Sequence, residues 1–409
     1  MIPIAQPLVS SCLHAGRISK EKTSESLSAY HRTPEVLELD TALKDSSPYF
    51  LGYTIASAFP SILCRHDFDR VFLISDLAVS QLYGPELIEL LHNSHVPVEE
   101  ISIANGERGK TFATLSRLCE DLVRHRISKN SILIAFGGGV IGNIVGLAAG
   151  LIYRGVRFID MPTTLMGQTD SALSNKQAIN GDQGKNQFGI YYPPLFVWSD
   201  VRMLRSELPR YVRSGLVEGV KNALISDIDF LDYLQVCINP DLSYSDAEYF
   251  DLVYRLIESK RRILEKDPTE KHYAIVLEYG HTFGHAIELL AQGHLSHGEC
   301  VAVGMCLAAE LAHNLHLIDD ELRDRHYRVL GDVLGIDLRL PIGADSNTLL
   351  CIIDSDNKRT GRSVRHVLLS GPGRVAQGDG DYMISVPTER VRIVLDAYPR
   401  GHASSKSGG

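Results

Sequence analysis

The stretch Glu278-Tyr-Gly-His281-Thr-Phe-Gly-His285, continued by His297-Gly-Glu299, sets three histidines among carboxylates. On a helix, His281 and His285 stand four residues apart on one face, so their rings could converge on one ion. His297 returns from beyond a turn at Gly293 and could complete a set of protein ligands while leaving a position open for substrate. The competing reading of a histidine pair at this spacing is two hydrogen-bonded side chains; the third histidine, the flanking glycines and Glu278 favour the ion. Upstream, Glu218-x-x-Lys221 sets a carboxylate and an amine one helical turn apart. Alone that is an ion pair, but an apolar helix is a poor place for solvated charge, so an inward-facing site is the sharper alternative. Asp170, Lys176, Asn180, Lys185 and Asn186 also crowd together. Their pattern suits either a solvated hairpin or a loop whose spaced lysines grip a phosphorylated ligand.

Two kinds of element must position these groups. Val71-Phe-Leu-Ile-Ser-Asp76, Val98 to Ile103, Ser131 to Phe136 and Arg157 to Met161 read as short buried strands, separated by helical stretches through Leu90 and from Thr111 to His125, which predicts a parallel sheet. The third strand opens into Gly137-Gly138-Gly139-Val-Ile-Gly142-Asn143, with helix predicted from Ile144 to Tyr153. Strand, glycines and helix in that order let a backbone approach a pyrophosphate at a positive helix N-terminus. Beyond Pro193-Pro194 the period becomes helical, with helices predicted over 213–226, 247–266, 278–291, 298–317 and 319–334. The predicted fold is α/β: an N-terminal Rossmann-like dinucleotide-binding domain over 49–200, then an α-helical metal- and substrate-binding domain over 201–398. An extension with at most a short hairpin or arm precedes them (1–48), and a small polar tail follows (399–409).

Bulk properties agree with a two-domain enzyme. A chain of 409 residues exceeds a typical single core, and 44% hydrophobic with 22% charged residues is ordinary for a soluble globular protein. A net charge of −9 argues against nucleic-acid or anionic-membrane surfaces. Seven scattered cysteines without a Cys-x-x-Cys pair fit reduced, mostly buried thiols, and the longest apolar run, Ile144 to Tyr153, is too short to span a bilayer. No basic stretch leads into an apolar run at the N-terminus, so a cytoplasmic protein is predicted.

Read together, Gly137-Gly-Gly-Val-Ile-Gly142, Pro162-Thr-Thr-Leu165, Asp170 to Asn180, Gly184-Lys-Asn186, Glu218-x-x-Lys221, Gly280-His-Thr-Phe-Gly-His285 and His297-Gly-Glu299 resemble the sugar phosphate cyclase superfamily. Its best-known member is 3-dehydroquinate synthase, and the likeness runs from about Val71 to Ser370. The resemblance implies a divalent metal, zinc or cobalt, on Glu218, His281 and His297, with His285 moved to proton transfer. It implies NAD held by Asp76, Glu107, Lys110, Gly137, Gly138, Gly139, Thr163 and Thr164, although the ordinary dinucleotide fingerprint would choose Asp160 for the ribose. Asp170, Lys176, Lys185, Asn186, Lys221 and Lys260 would meet the substrate, and Arg154 would reach a phosphate in the neighbouring subunit of a homodimer. Lys176, Glu278 and His285 would be catalytic.

Dehydroquinate synthases carry an Arg and an Asn where this chain has Ala274 and Glu278. Losing a guanidinium and gaining a carboxylate disfavours a carboxylate-bearing substrate and favours a neutral polyol. A second departure, Asn143 for Asp, has no evident consequence. Ser174 to Asn180, Gly184-Lys-Asn186, Tyr191-Tyr-Pro-Pro194 and Glu278-Tyr-Gly-His-Thr282 resemble the 2-deoxy-scyllo-inosose synthase branch. Such enzymes carbocyclise glucose 6-phosphate in 2-deoxystreptamine aminoglycoside biosynthesis. The 2-epi-5-epi-valiolone synthases, which take sedoheptulose 7-phosphate, are less similar because they tend to lose the second helix histidine. Remaining alternatives are 3-dehydroquinate synthase itself, a metal-dependent polyol dehydrogenase and a non-catalytic sugar-phosphate binder.

Overall fold

The computed structural model describes residues 36–103, 106–182, 184–354, 364–378 and 380–401. Most of the N-terminal extension, residues 355–363 and the tail from 402 lie outside them.

Leu37–Asp40 (β1) and Pro48–Gly52 (β2) form an antiparallel hairpin, the short hairpin foreseen for the extension, although it continues past residue 48. Val71–Ser75 (β3), Val98–Ser102 (β4), Ile132–Gly137 (β5) and Arg157–Pro162 (β6) follow. Lys176–Gly181 (β7) and Gly184–Tyr191 (β8) make a separate antiparallel hairpin, and Val197–Asp200 (β9) closes the series. The main sheet has seven strands in the order β1-β2-β9-β6-β5-β3-β4, parallel throughout except for the edge strand β1, which runs antiparallel to β2.

Period-two alternation explains why its strands read as unbroken apolar runs. Val71, Leu73, Ile132, Ile134 and Phe136 enter one core, against Leu87 and Leu91 of Leu77–Asn93 (α1). Phe72, Ile74, Leu133 and Ala135 enter the opposite core, against Leu115, Leu118 and Leu122 of Phe112–Arg124 (α2) and Ile144 of Gly139–Leu151 (α3). Both faces are covered, as parallel sheets require.

The chain leaves β3 toward β4 on one side and returns to β5 on the other, so the sheet reverses direction between β3 and β5. Ligands of such sheets bind beyond the carboxyl ends of the strands at that reversal. Helix α3 starts at Gly139, five residues before the predicted Ile144, because Gly138 caps it in an extended conformation with no side chain to clear. A Cβ on Gly137 would meet the Ile141 side chain at 2.5 Å, and one on Gly139 would meet Ser171 Oγ at 2.8 Å. The helix stops at Leu151, and Tyr153 and Arg154 adopt left-handed φ of 52° and 67°.

After the short helix Leu165–Thr169 (α4) and the end of the sheet, helices dominate: Pro209–Ser226 (α5), Ile228–Cys237 (α6), Asp246–Leu264 (α7), His281–Ala291 (α8), His297–Asn314 (α9), Asp320–Tyr327 (α10), Ser346–Asp354 (α11) and Thr388–Ala397 (α12). Two small two-stranded ribbons accompany them, one joining Val364–His366 to Ile384–Val386. The predicted helix over 278–291 is corrected: Tyr273–Glu278 is a 3-10 segment, and Gly280 at φ 78° breaks it from α8. Helices α8 and α9 meet backbone to backbone, for a Cβ on Gly304 would overlap the Gly280 carbonyl oxygen and lie 2.7 Å from Gly284 N. The thiols are also less uniform than predicted: Cys300 and Cys306 are buried, whereas Cys64 and Cys351 are exposed. Among the described residues no helix is long and apolar enough to cross a membrane.

Candidate active site

Three helices bring Glu218, His281 and His297 together. Glu218 sits mid-way along the buried face of α5, His281 is the first residue of α8, and His297 is the first residue of α9. A capping box between Ser296 and Glu299 fixes the start of α9, and left-handed Gln292 and Gly293 turn the chain into it. One ligand atom from each residue lies within 4.8 Å of the others. His281 Nε2 is 3.7 Å and His297 Nε2 is 3.5 Å from Glu218 Oε1. Each ring is turned by its other nitrogen: His281 Nδ1 meets the Tyr279 carbonyl at 3.2 Å, and His297 Nδ1 meets Glu288 Oε2 at 3.2 Å.

Glu218 Oε1 is buried without a hydrogen bond, while Oε2 accepts from Lys221 Nζ. An orphaned carboxylate oxygen facing two ring nitrogens is what a divalent cation would satisfy, and two imidazoles with one carboxylate suit zinc or cobalt. Burial works against charge on Glu218, but Lys221 and then the histidines outweigh it and hold its carboxyl well below the usual range. Burial, then Lys221, pushes His281 down to about 3, so that ring is neutral and ready to coordinate. For His297 burial is outweighed by Glu218 and Glu288, which hold it up to about 9. His285 is not in the cluster; its ring centroid lies 5.2 Å from that of His281 and 6.1 Å from that of His297.

The sheet supplies the facing wall. Asp76 follows β3 and caps α1, with Oδ1 accepting from Ala78 N at 2.9 Å and Val79 N at 3.1 Å. Ser75 is in register with Phe136, so Asp76 stands beside the glycines that end β5. Thr163 donates its N–H to the Gly137 carbonyl at 2.9 Å, and Thr164 caps α4 through Gly167 N at 3.1 Å. Asp160 lies inside β6 instead of at a strand end, with burial lifting its carboxyl to about 7. The hairpin closes over this wall: Lys110 Nζ donates to Asn186 Oδ1 at 2.5 Å and Asn180 Nδ2 to Glu107 Oε1 at 2.7 Å.

The chain matches the 3-dehydroquinate synthase N-terminal family over residues 100–214 and the 3-dehydroquinate synthase C-terminal family over residues 215–359. A 2-deoxy-scyllo-inosose synthase from Streptomyces kanamyceticus is 36% identical over 354 residues, covering 85% of this chain and 90% of that protein. The chain belongs to the sugar phosphate cyclase superfamily. A crystal structure of 2-deoxy-scyllo-inosose synthase, complexed with carbaglucose-6-phosphate, NAD+ and Co2+, aligns with this cyclase at a TM-score of 0.81 and 32% identity, covering 89% of this chain and 99% of that one. The 2-epi-5-epi-valiolone synthase from Streptomyces hygroscopicus subsp. jinggangensis, solved with NAD+ and Zn2+, aligns at 0.76 and 24% identity over 89% and 98% of the two chains, a likeness of fold.

Lys221 is buried against Glu218, and Lys260 Nζ is held by Asp170, 2.8 Å from Oδ1 and 2.6 Å from its carbonyl. Lys176, at the start of β7, has a half-exposed side chain 2.9 Å from Glu270; burial pulls its amine down, and Glu270 followed by Glu278 outweighs that and holds it above the ordinary lysine value. Glu278 also adds to the charge felt by Lys221 and His281, so its carboxylate lies within electrostatic reach of both. Lys185 bridges Glu288 at 2.7 Å and Glu107 at 3.5 Å. Arg154 is the residue the fold does not bring in. It lies on an exposed turn at the far end of α3, about 20 Å from the glycines at 1.5 Å per residue.

Sequence reasoning missed Glu270 and Glu288, the counter-ions of Lys176 and Lys185. A signal for Glu288 exists, since it stands seven residues after His281 and three after His285 on the same helical face. It also missed the buried anchor behind His281, where the Tyr279 hydroxyl meets His326 Nε2 at 2.8 Å.

Proposed function

We propose that this cyclase is a 2-deoxy-scyllo-inosose synthase, converting glucose 6-phosphate to 2-deoxy-scyllo-inosose with release of phosphate, in 2-deoxystreptamine aminoglycoside biosynthesis in the cytoplasm. The observation that carries the reading is Glu278 within electrostatic reach of Lys176, Lys221 and His281, with Ala274 in place of a guanidinium. A site with an added carboxylate suits a polyol phosphate better than a sugar acid. Glu218, His281 and His297 would hold zinc or cobalt, and the crevice from Asp76 to Thr164 would hold NAD. Bound there, the metal would supply Lewis-acid polarisation of a substrate hydroxyl and NAD would supply reversible hydride transfer.

The side chains supply the rest. Among the site's lysines that meet acidic partners, Lys221 and Lys260 are buried in their pairs and Lys185 is bridged between Glu288 and Glu107, so the half-exposed Lys176 amine is the first to reach an entering phosphate. Oxidation at carbon 4 acidifies the adjacent carbon, Glu278 accepts that proton or orders the hydroxyls, and phosphate leaves by elimination. After reduction, ring opening and an intramolecular aldol close the carbocycle, with His285 relaying protons. Arg154 would act from a second subunit of a homodimer, since its own glycine wall is a helix length away.

Purified protein incubated with glucose 6-phosphate, NAD and cobalt should release phosphate and yield a deoxygenated cyclohexanone by mass spectrometry. Release from 3-deoxy-arabino-heptulosonate 7-phosphate alone would point instead to 3-dehydroquinate synthase. Stoichiometric build-up of NADH would point to a polyol dehydrogenase.

A further inference from the structure

The two histidines of the cluster are oriented by different means. His281 rests on a backbone carbonyl, which no substitution removes, whereas His297 rests on a side chain, Glu288. Glu288 projects from α8 across to the first residue of α9, and it is itself pinned by Lys185 Nζ at 2.7 Å on its other oxygen. The same amine lies 3.5 Å from Glu107, on the segment that faces the glycine wall. An ionised carboxylate on the rear nitrogen of a ligating imidazole sets the tautomer, fixes the ring plane and strengthens the front nitrogen as a donor.

We infer that Glu288 is a positioning residue that aims His297 Nε2 at Glu218 Oε1, with Lys185 holding Glu288 in turn. The inference rests on the reading that Glu218, His281 and His297 bind a divalent ion. It also gives Lys185 a second task beside the substrate contact its motif implies.

The test is metal binding without substrate. Metal-stripped wild-type protein, Glu288→Ala, Glu288→Gln and Lys185→Met are titrated with Co2+ against a competing chelator, and the visible d–d bands are recorded at saturation. Glu288→Ala should bind cobalt about 10- to 100-fold more weakly than wild type, with altered bands, the usual loss for removing such a partner. Glu288→Gln keeps an acceptor for the Nδ1–H and should lie between the two, and Lys185→Met should weaken binding by about threefold. Wild-type affinity and bands in Glu288→Ala would overturn the positioning role while leaving the metal site intact. If that protein does not fold, unchanged affinity in both Glu288→Gln and Lys185→Met overturns it equally. Wild-type protein that takes up no cobalt would sink the metal site beneath it.

Discussion

On the sheet side, the cleft is lined by backbone: glycines at the end of β5, the Thr163 amide and two helix starts, with Asp76 engaged in a cap. On the helical side, it is lined by side chains, nearly every one met by an opposite charge, as in Glu218 with Lys221, Asp170 with Lys260, and Glu288 with Lys185. The difference teaches how one cleft can serve two ligands. A wall built largely of backbone accepts a cofactor by shape and amide direction, and a wall of charged side chains that are already paired adds polar chemistry without leaving charges stranded in the interior.

Substitutions on the helical wall should therefore cost chemistry, and those on the sheet wall should cost cofactor affinity. The largest effect belongs to Glu218→Gln, which removes the ligand carboxylate and strands Lys221. Turnover should fall by about a thousandfold or more, and stability by about 3 kcal/mol, since a buried amine loses its counter-charge. Metal content, phosphate release and thermal melting check both. Next comes Glu278→Gln, expected to fold and bind NAD normally yet lose turnover by about 10²- to 10⁴-fold; near-normal turnover would take Glu278 out of the chemistry.

Gly139→Val tests the other wall. Its Cβ would press on Ser171 Oγ, so KM for NAD should rise by about tenfold while cobalt binding stays as in wild type. A drop in cobalt affinity would show that the walls are not separable. The smallest effect concerns pH. Burial, only partly offset by Glu107, lowers the Lys110 amine from 10.5 to about 8. Its charge is present below that pH and lost above it, so KM for NAD should rise by about threefold between pH 7 and 9. Lys110→Met should flatten that rise.

The sheet wall was the more legible one. Glycines, apolar runs and strand ends announce themselves because backbone shape is written locally, and the main error, the late start given to α3, came from treating Gly139 as loop. The helical wall was legible only in part. Spacing paired His281 with His285, and only the likeness to known cyclases replaced that pair by Glu218, His281 and His297. No local pattern states that α5, α8 and α9 converge. Glu270, in the turn after α7, and Glu288, on a face of α8, escaped because an acidic residue in either setting reads as solvated until its partner, far away in sequence, is known.

The seam between α8 and α9 has a consequence for how such a cyclase can diversify. At Gly280 and Gly304 main chain lies on main chain, with no rotamer to adjust and no volume to trade. The spacing of His281 and His297 is inherited from that seam, so in a library of single substitutions these glycines should be intolerant without altering substrate preference. A position such as Ala274, which rests on no such seam, is free to drift toward new sugars, leaving the metal as the fixed point of a changing repertoire.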